Sequence, residues 1–398
     1  MSDREEKFAI IGIGEIPSGW YPETTCIDQA VKVIKEAVLD AGISKDDIGA
    51  LLIPPPLAGE KDEYHLSFSR IVEEMGLKGV KYNFQVAGWW ASPMMAIQSA
   101  KGVIFNDTAE IAIVLQSQHF SSATEEDMRW FFQRNNLGFY REWEQPYGIS
   151  YKSMVALITQ RYMYETGLTP EQHASVIESL RKWAQLNPHA RFRKDLTVED
   201  VLNSEMESSP LHTGECGVFS DGATAFIVTS AEKAKSIAKK PPVYILGEGH
   251  AGPPYYSFVQ KSDRDFTRLG VDRAAKMAID DAGIKLEAVD IFELYAGYPI
   301  FYIMQIEEIG LCQRGEGGKY FMEGNADPGG KTPVSTNGGI QQGDTGIGVA
   351  MTPIIEGVCQ LRGESGKRQV MDAKIALTTN FGNQMMDSHV TILGKEMP

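Results

Sequence analysis

Cysteines, histidines and glycine-rich turns have the most chemical reach in this chain, and none of them completes a local motif. The four cysteines, Cys26, Cys216, Cys312 and Cys359, are far apart and form no C-x-x-C pair. A disulfide framework or an internal zinc site is therefore not expected, and a reducing cytoplasm fits. The seven histidines show no H-E-x-x-H or comparable ligand spacing, so no metal is expected on this chain. His250, in Gly249-His-Ala-Gly252, has the side chain of a base but reads as a lone, exposed loop histidine. Gly12-Ile-Gly14 follows a strand-like run, yet Pro17 stands where a dinucleotide-binding turn needs its third glycine. Gly329-Gly330-Lys331-Thr332 resembles the end of a P-loop, but Asn325 takes the place of its first glycine and no apolar strand feeds it.

Chemistry must then come from residues that the fold gathers, and the elements that would gather them are legible. Phe8 to Gly14 and Val243 to Gly249 each read as a buried strand ending in glycines. Each is followed by a helical pattern closed by the same phrase, Asp40-Ala-Gly-Ile43 and Asp281-Ala-Gly-Ile284, whose glycine suits a left-handed helix stop. A short strand signal comes next in both places, Ile48 to Ile53 and Val289 to Tyr295. An ordered series of this kind in both halves indicates duplication, and alternating strands and helices indicate an α/β fold. The halves are expected at 1–240 and 241–398, meeting after the Lys-rich stretch Lys233 to Lys240. Residues from about 120 to 210 read as a mostly helical insertion in the first half, of a size usual for a lid or binding surface. Within it Thr169 can cap a helix and Pro170 suits the first helical turn.

At 398 residues, with 43% hydrophobic and 23% charged residues, the chain can fill two cores as a globular enzyme. A formal net charge of −15 argues against sequence-independent nucleic-acid binding, while leaving room for a local phosphate site. No apolar stretch is long enough to span a bilayer, and the charged N-terminus has no signal-peptide core.

Several phrases together resemble the lipid-transfer (sterol carrier protein x) branch of the thiolase superfamily. They include Tyr162 to Glu171, Asn187-Pro-His-Ala190, Leu196 to Leu202, Ser220-Asp-Gly-Ala223 and Thr229 to Lys233. Gly310 to Gly318, Thr336-Asn-Gly-Gly339 and Gln360-Leu-Arg-Gly363 extend the likeness over nearly the whole chain. The segment from Val86 to Ile97 looks like the loop and helix start that carry the thiolase nucleophile. The resemblance implies a duplicated, five-layer α-β-α-β-α thiolase fold.

It also implies four positions of chemistry, and all four are changed. The acylated cysteine falls on Trp90, and the Asn or His of the oxyanion loop falls on Tyr295 in Tyr295-Ala-Gly-Tyr298. The histidine that activates the thiol falls on Asp344 in a loop one residue short, and the second cysteine falls on Asn380 in Asn380-Phe-Gly382. A tryptophan cannot be acylated, so the ordinary ping-pong thiolase mechanism is excluded. No remaining cysteine fits the role. Cys216 precedes a structural turn, Cys312 ends a helix, and each reads as a small buried side chain.

The altered pocket still suits a retro-aldol cleavage of an acyl-CoA, which needs enolate stabilisation and a base but no acyl-enzyme. Gly339 and Gly382 are the candidates for backbone N–H groups that approach an enolate oxygen. Asp344 would take the β-hydroxyl proton and Tyr295 would serve the leaving carbonyl. Thiolase-like aldolases that shorten steroid side-chain CoA esters also lack the cysteine and use tyrosines. This chain departs from them at Ala296, where Asp often follows the tyrosine. Each residue has a structural alternative. Trp90 beside Trp89 can plug a dead pocket, Tyr295 can be core, Asp344 can stabilise a turn, and Asn380 can order its loop.

The other function classes left open are a thiolytic (retro-Claisen) enzyme for an unusual 3-oxoacyl-CoA and a non-catalytic subunit of a heteromeric complex. The resemblance implies coenzyme A as part of the substrate, with no cofactor bound by this chain. It implies a homodimer and a small zinc-ribbon/OB-fold partner, with any zinc in that partner.

Overall fold

In the computed structural model, residues 7–54, 67–86, 88, 91–128, 142–252, 266–342, 351–382 and 387–397 are described. Strand β1 (Phe8–Gly19) leads into helix α1 (Cys26–Ala41), then β2 (Ala50–Ile53), α2 (Ser67–Met75), β3 (Tyr82–Gln85), α3 (Ser92–Phe105) and β4 (Ile111–His119). Helices α4 (Tyr151–Thr166), α5 (Pro170–Leu186) and α6 (Val198–Leu202) and the small hairpin β5 (Met206–Ser208) and β6 (Leu211–His212) precede β7 (Asp221–Ser230) and α7 (Ala231–Ile237). The remainder is β8 (Val243–Ala251), α8 (Val271–Ala282), β9 (Ile291–Glu293), α9 (Pro299–Ile309), α10 (Gly317–Met322), α11 (Thr352–Arg362), β10 (Ile375–Gly382) and β11 (Asp387–Gly394).

The sheet order is β3-β2-β4-β7-β1-β8-β11-β10-β9. Outward from β1 the pairings run antiparallel to β7, antiparallel to β4, then parallel to β2. Outward from β8 they run antiparallel to β11, antiparallel to β10, then parallel to β9. The duplication read from the two strand–helix–strand series is therefore a duplication of topology. The halves join where Phe8, Ala9 and Ile10 of β1 pair with Ile245, Tyr244 and Val243 of β8.

The repeated glycines have one packing function in both halves. A Cβ on Gly12 or Gly14 would overlap Ala37 O or Val33 O of α1, and one on Gly247 or Gly249 would overlap Ala278 O or Ala274 O of α8. Glycine lets each helix lie directly on its strand. The repeated aspartates then tie helix to strand: Asp40 Oδ2 accepts from Ile13 N at 2.9 Å, and Asp281 Oδ2 accepts from Glu248 N at 3.0 Å. Gly42 and Gly283 close the helices with φ of 74° and 66°. Thr169 caps α5 with Pro170 in its first turn.

Helices α3 and α11 share one core with residues from both half-sheets, among them Ile10, Val114, Val228, Ile245, Ile291 and Leu393. Helices α1, α8 and α9 pack on the opposite faces. This gives the α-β-α-β-α layering, with α3 and α11 as its central layer. No described helix is long and apolar enough to cross a membrane.

Candidate active site

Trp90 and Asp344 lie outside the described residues, and the site is built from what adjoins position 90. Gly88 N donates to Ser92 Oγ at 2.8 Å and Ala91 N donates to Gly88 O at 3.1 Å, forming a tight turn into the first residues of α3. A Cβ on Gly382, at the end of β10, would lie 3.0 Å from both Gly88 O and Ala91 Cβ. The two halves thus bring the turn before α3 and the Asn380-Phe-Gly382 strand end together. Asn380 is fully buried, two residues back on the same face of β10.

Tyr295 follows β9 in a loop held by backbone bonds. Its N–H donates to Thr379 Oγ1 at 3.0 Å and its carbonyl accepts from Gln305 Nε2 at 3.0 Å. Ala296 O accepts from Gln341 Nε2 at 3.1 Å, and Gly297 O from Gly217 N at 2.9 Å. The Tyr295 side chain is buried, and burial, reinforced by Tyr151 and Tyr302 nearby, pushes its phenol well above the ordinary tyrosine range. A phenol is protonated at neutral pH in any case; burial disfavours the tyrosinate further, so Tyr295 can serve there as a hydrogen-bond donor and not as a base. Thr379 and Asn380 point to opposite faces of β10, so Tyr295 is tethered on the face away from Asn380. The tyrosine group around it, Tyr151 of α4 and Tyr302 of α9, has no sequence signature, because three distant segments supply it.

Gly339 has φ of 71°, and a Cβ there would overlap the Tyr302 hydroxyl. Its N–H donates to Asn337 Oδ1 at 2.8 Å. A substrate oxygen would have to displace Asn337 to use that donor. The loop is fixed from beneath. Thr336 N and Oγ1 lie 3.1 and 2.7 Å from Glu293 Oε1, and Thr336 Oγ1 lies 2.8 Å from Glu356 Oε1. Arg368 donates Nε and Nη2 to Glu356 at 2.9 and 2.8 Å. Burial, and then the Glu356 carboxylate, push the Glu293 carboxyl up to about 8.

His250 is exposed as expected, but it lies on a strand and not in a loop. It ends β8, directly opposite His389 in the β8–β11 ladder, and the two rings stack at 4.1 Å and 17°. Its Nε2 hydrogen-bonds Asp387 Oδ1, while His389 Nε2 lies 3.4 Å from Asp387 Oδ2. Burial opposes the Asp387 charge, but hydrogen bonds and charge from both imidazoles hold its carboxyl below the ordinary range. The three groups converge through strand pairing, not linear spacing, and for that reason the histidine spacing gave no signal. Their ligand atoms lie within 4.8 Å of one another.

Three of the four thiols, Cys216, Cys312 and Cys359, offer no alternative nucleophile, and Cys26 is buried at the start of α1. Burial pushes Cys216 up to about 11 and Cys312 up to about 12, and Cys359 well above the thiol range. Cys312 does not end a helix as expected, since α9 stops at Ile309 with Gly310 as its left-handed cap.

Comparison with known proteins agrees with this architecture. The thiolase C-terminal domain-like family matches residues 256–395. An acetyl-CoA acetyltransferase of Methanothermobacter thermautotrophicus is 31% identical over 94% of this chain and 96% of its own. Benzoylsuccinyl-CoA thiolase subunit BbsB of Thauera aromatica is 28% identical over 94% of both. The solved structure of the Ltp2-ChsH2(DUF35) aldolase superposes with a TM-score of 0.82 at 25% identity, over 98% of this chain and 97% of that one. The chain belongs to the thiolase superfamily, in the branch that carries thiolase-fold aldolases.

Proposed function

We propose that this chain cleaves a bulky β-hydroxyacyl-CoA by retro-aldol chemistry, without a covalent acyl-enzyme. The observation that carries the reading is the missing nucleophile: Trp90 stands where the resemblance puts the cysteine, burial raises the thiols of Cys216, Cys312 and Cys359 above the ordinary range, and the loop after β9 holds a buried phenol, Tyr295, that can donate a hydrogen bond. Asp344 takes the β-hydroxyl proton, and the electrons of the breaking carbon–carbon bond pass into the thioester enolate. Tyr295 donates its hydrogen bond to the oxygen that becomes the leaving carbonyl. The turn at Gly88 to Ser92 and the strand end at Gly382 frame the enolate side of the pocket. Coenzyme A enters as part of the substrate. The likeness to an aldolase solved together with ChsH2(DUF35) supports a small partner protein of the zinc-ribbon/OB-fold kind, bound to a homodimer of this chain, with any zinc held by that partner.

In this reading residues 1–240 and 241–398 are the two halves, and the segment from about 120 to 210 is a lid, consistent with Tyr151 lying beside Tyr295. The test is a panel of β-hydroxyacyl-CoAs offered to the purified protein with its companions. A carbonyl product is expected without added CoA, with Tyr295→Phe and Asp344→Asn each lowering kcat at least about 100-fold. No carbonyl product, or intact activity in both variants, defeats the reading.

A second reading, thiolytic cleavage of an aromatic 3-oxoacyl-CoA, is favoured by the likeness to the benzoylsuccinyl-CoA thiolase subunit. It predicts cleavage only when CoA is added. That relative's being a subunit also supports a non-catalytic role beside a second thiolase-like chain, which predicts co-purification with a cysteine-bearing partner.

A further inference from the structure

We propose that His250, His389 and Asp387 form a binding site for a divalent transition-metal ion of the zinc class, held between β8 and β11. The site is independent of the retro-aldol reading and of any zinc in a partner, and it reverses the sequence expectation of no metal on this chain.

Strand pairing builds the site. His250 and His389 are direct partners in the antiparallel β8–β11 ladder, which sets their Cβ atoms about 4.5–5.5 Å apart on one face. Asp387 lies two residues before His389 on β11 and shares that face. The Nε2 atom of each ring is turned to a different oxygen of the one carboxylate, His250 to Oδ1 and His389 to Oδ2 at 3.4 Å. On the other face Ser388 Oγ donates to Leu269 O at 2.8 Å, which fixes the start of β11. A Cβ on Gly252 would lie 3.3 Å from Asp387 Oδ1, so glycine there leaves the carboxylate edge uncrowded.

Donor chemistry narrows the ion. Two imidazoles and a carboxylate are a donor set for Zn2+ and its neighbours Co2+ and Ni2+, with a fourth position open to water. Mg2+ and Ca2+ prefer shells of oxygen alone. The two imidazoles are the only ion-pair partners of Asp387 among the described residues, so no described lysine or arginine takes the place of the ion. The His250 side chain is 45% exposed and that of Asp387 26%, and the ion enters from this side.

The geometry is close to closure. Ligand atoms about 2.0–2.2 Å from a tetrahedral ion lie roughly 3.4 Å from one another. The three ligand atoms here lie within 4.8 Å of one another, so the widest gap must close by at most about 1.5 Å. The rings are 17° from parallel, and their lone pairs do not yet converge. His389 is held by burial, while the exposed His250 ring can tilt to meet the ion. At each Nε2 the ion replaces the ring hydrogen, which moves to Nδ1. His389 Nδ1 has no partner among the described residues in either state, so it does not decide between them.

The test is metal binding by the full chain, stripped with a chelator, dialysed against Zn2+ or Co2+ and read by inductively coupled plasma mass spectrometry. One equivalent should be retained, Co2+ should give the visible absorption of a tetrahedral nitrogen–oxygen site, and Zn2+ should raise the unfolding temperature. His250→Ala and Asp387→Asn should each weaken binding at least about 100-fold, the upper end of what loss of an outer partner alone costs. His189→Ala, which removes an exposed histidine paired with Glu15, should retain the ion. Excess Mg2+ should not displace it. His250 is exposed enough for its alanine variant to fold, so the test does not depend on substituting the buried His389. No stoichiometric ion, displacement by Mg2+, or affinity unchanged in either His250→Ala or Asp387→Asn overturns the site. Equal loss in His189→Ala would mark scattered surface binding and overturn it as well.

Discussion

Two carboxylate clusters lie in the second half of the sheet and differ in what their hydrogen bonds leave over. Around Thr336, the carboxylates of Glu293 and Glu356 close on Thr336, Gln360 and the Arg368 fork, and both acids are almost wholly enclosed. Along β11, Asp387 joins two imidazoles, one at the surface and one buried with an unused ring nitrogen. The closed cluster spends its polar atoms on holding the loop that carries Gly339. The open one keeps a titratable group beside the start of α3. Buried polarity is therefore not one signal here: a closed network positions backbone, and the other leaves a ring nitrogen unengaged.

The largest expected effect comes from breaking the closed network. Arg368→Met leaves the Glu356 charge buried without its partner and should cost about 3–5 kcal/mol in urea unfolding. A loss below about 1 kcal/mol would mean that the cluster does not hold the fold as described.

The next distinction is in pH dependence, where the clusters have opposite signs. Glu293 would ionise near 4.5 in the unfolded chain but holds its proton to about 8 in the fold. The native state then binds the extra proton, so this group lowers stability as pH rises from about 4.5 to 8. Glu293→Gln should flatten that slope in denaturation curves taken between about pH 5 and 8. Asp387, with its carboxyl held low, contributes stability above the ordinary carboxylate range and loses it as pH falls through its lowered value. Asp387→Asn should remove only this acid-side loss. An unchanged slope in Glu293→Gln would place the proton elsewhere.

The smallest effect on stability is expected from His250→Ala. Its side chain is 45% exposed and its bond to Asp387 is partly solvated, so the loss should stay below about 1 kcal/mol.

Much of the scaffold was legible because it rests on local rules. The Asp-Ala-Gly phrases marked real left-handed helix stops, and the paired glycines that failed as a nucleotide turn proved to be helix-packing sites. The turn before α3 and the Asn380-Phe-Gly382 strand end were found as separate motifs, and the fold sets them in contact. Two other features were missed. The tyrosine group around Tyr295 draws on α4 and α9, and His389 and Asp387 drew no attention because their partner lies 137 residues away on β8.

Periodicity and the repeated glycine phrases carried the duplication and the α/β class, which are local properties of the chain, while the resemblance to thiolases supplied the expectation that Trp90 stands for the acyl-enzyme cysteine in an acyl-CoA pocket. Only the tertiary structure decided that Tyr295 is buried beside Tyr151 and Tyr302, that the Gly339 N–H is already engaged, and that His250, Asp387 and His389 form one group. Burial and strand register set these properties, and both depend on segments that are distant in sequence and adjacent only after folding.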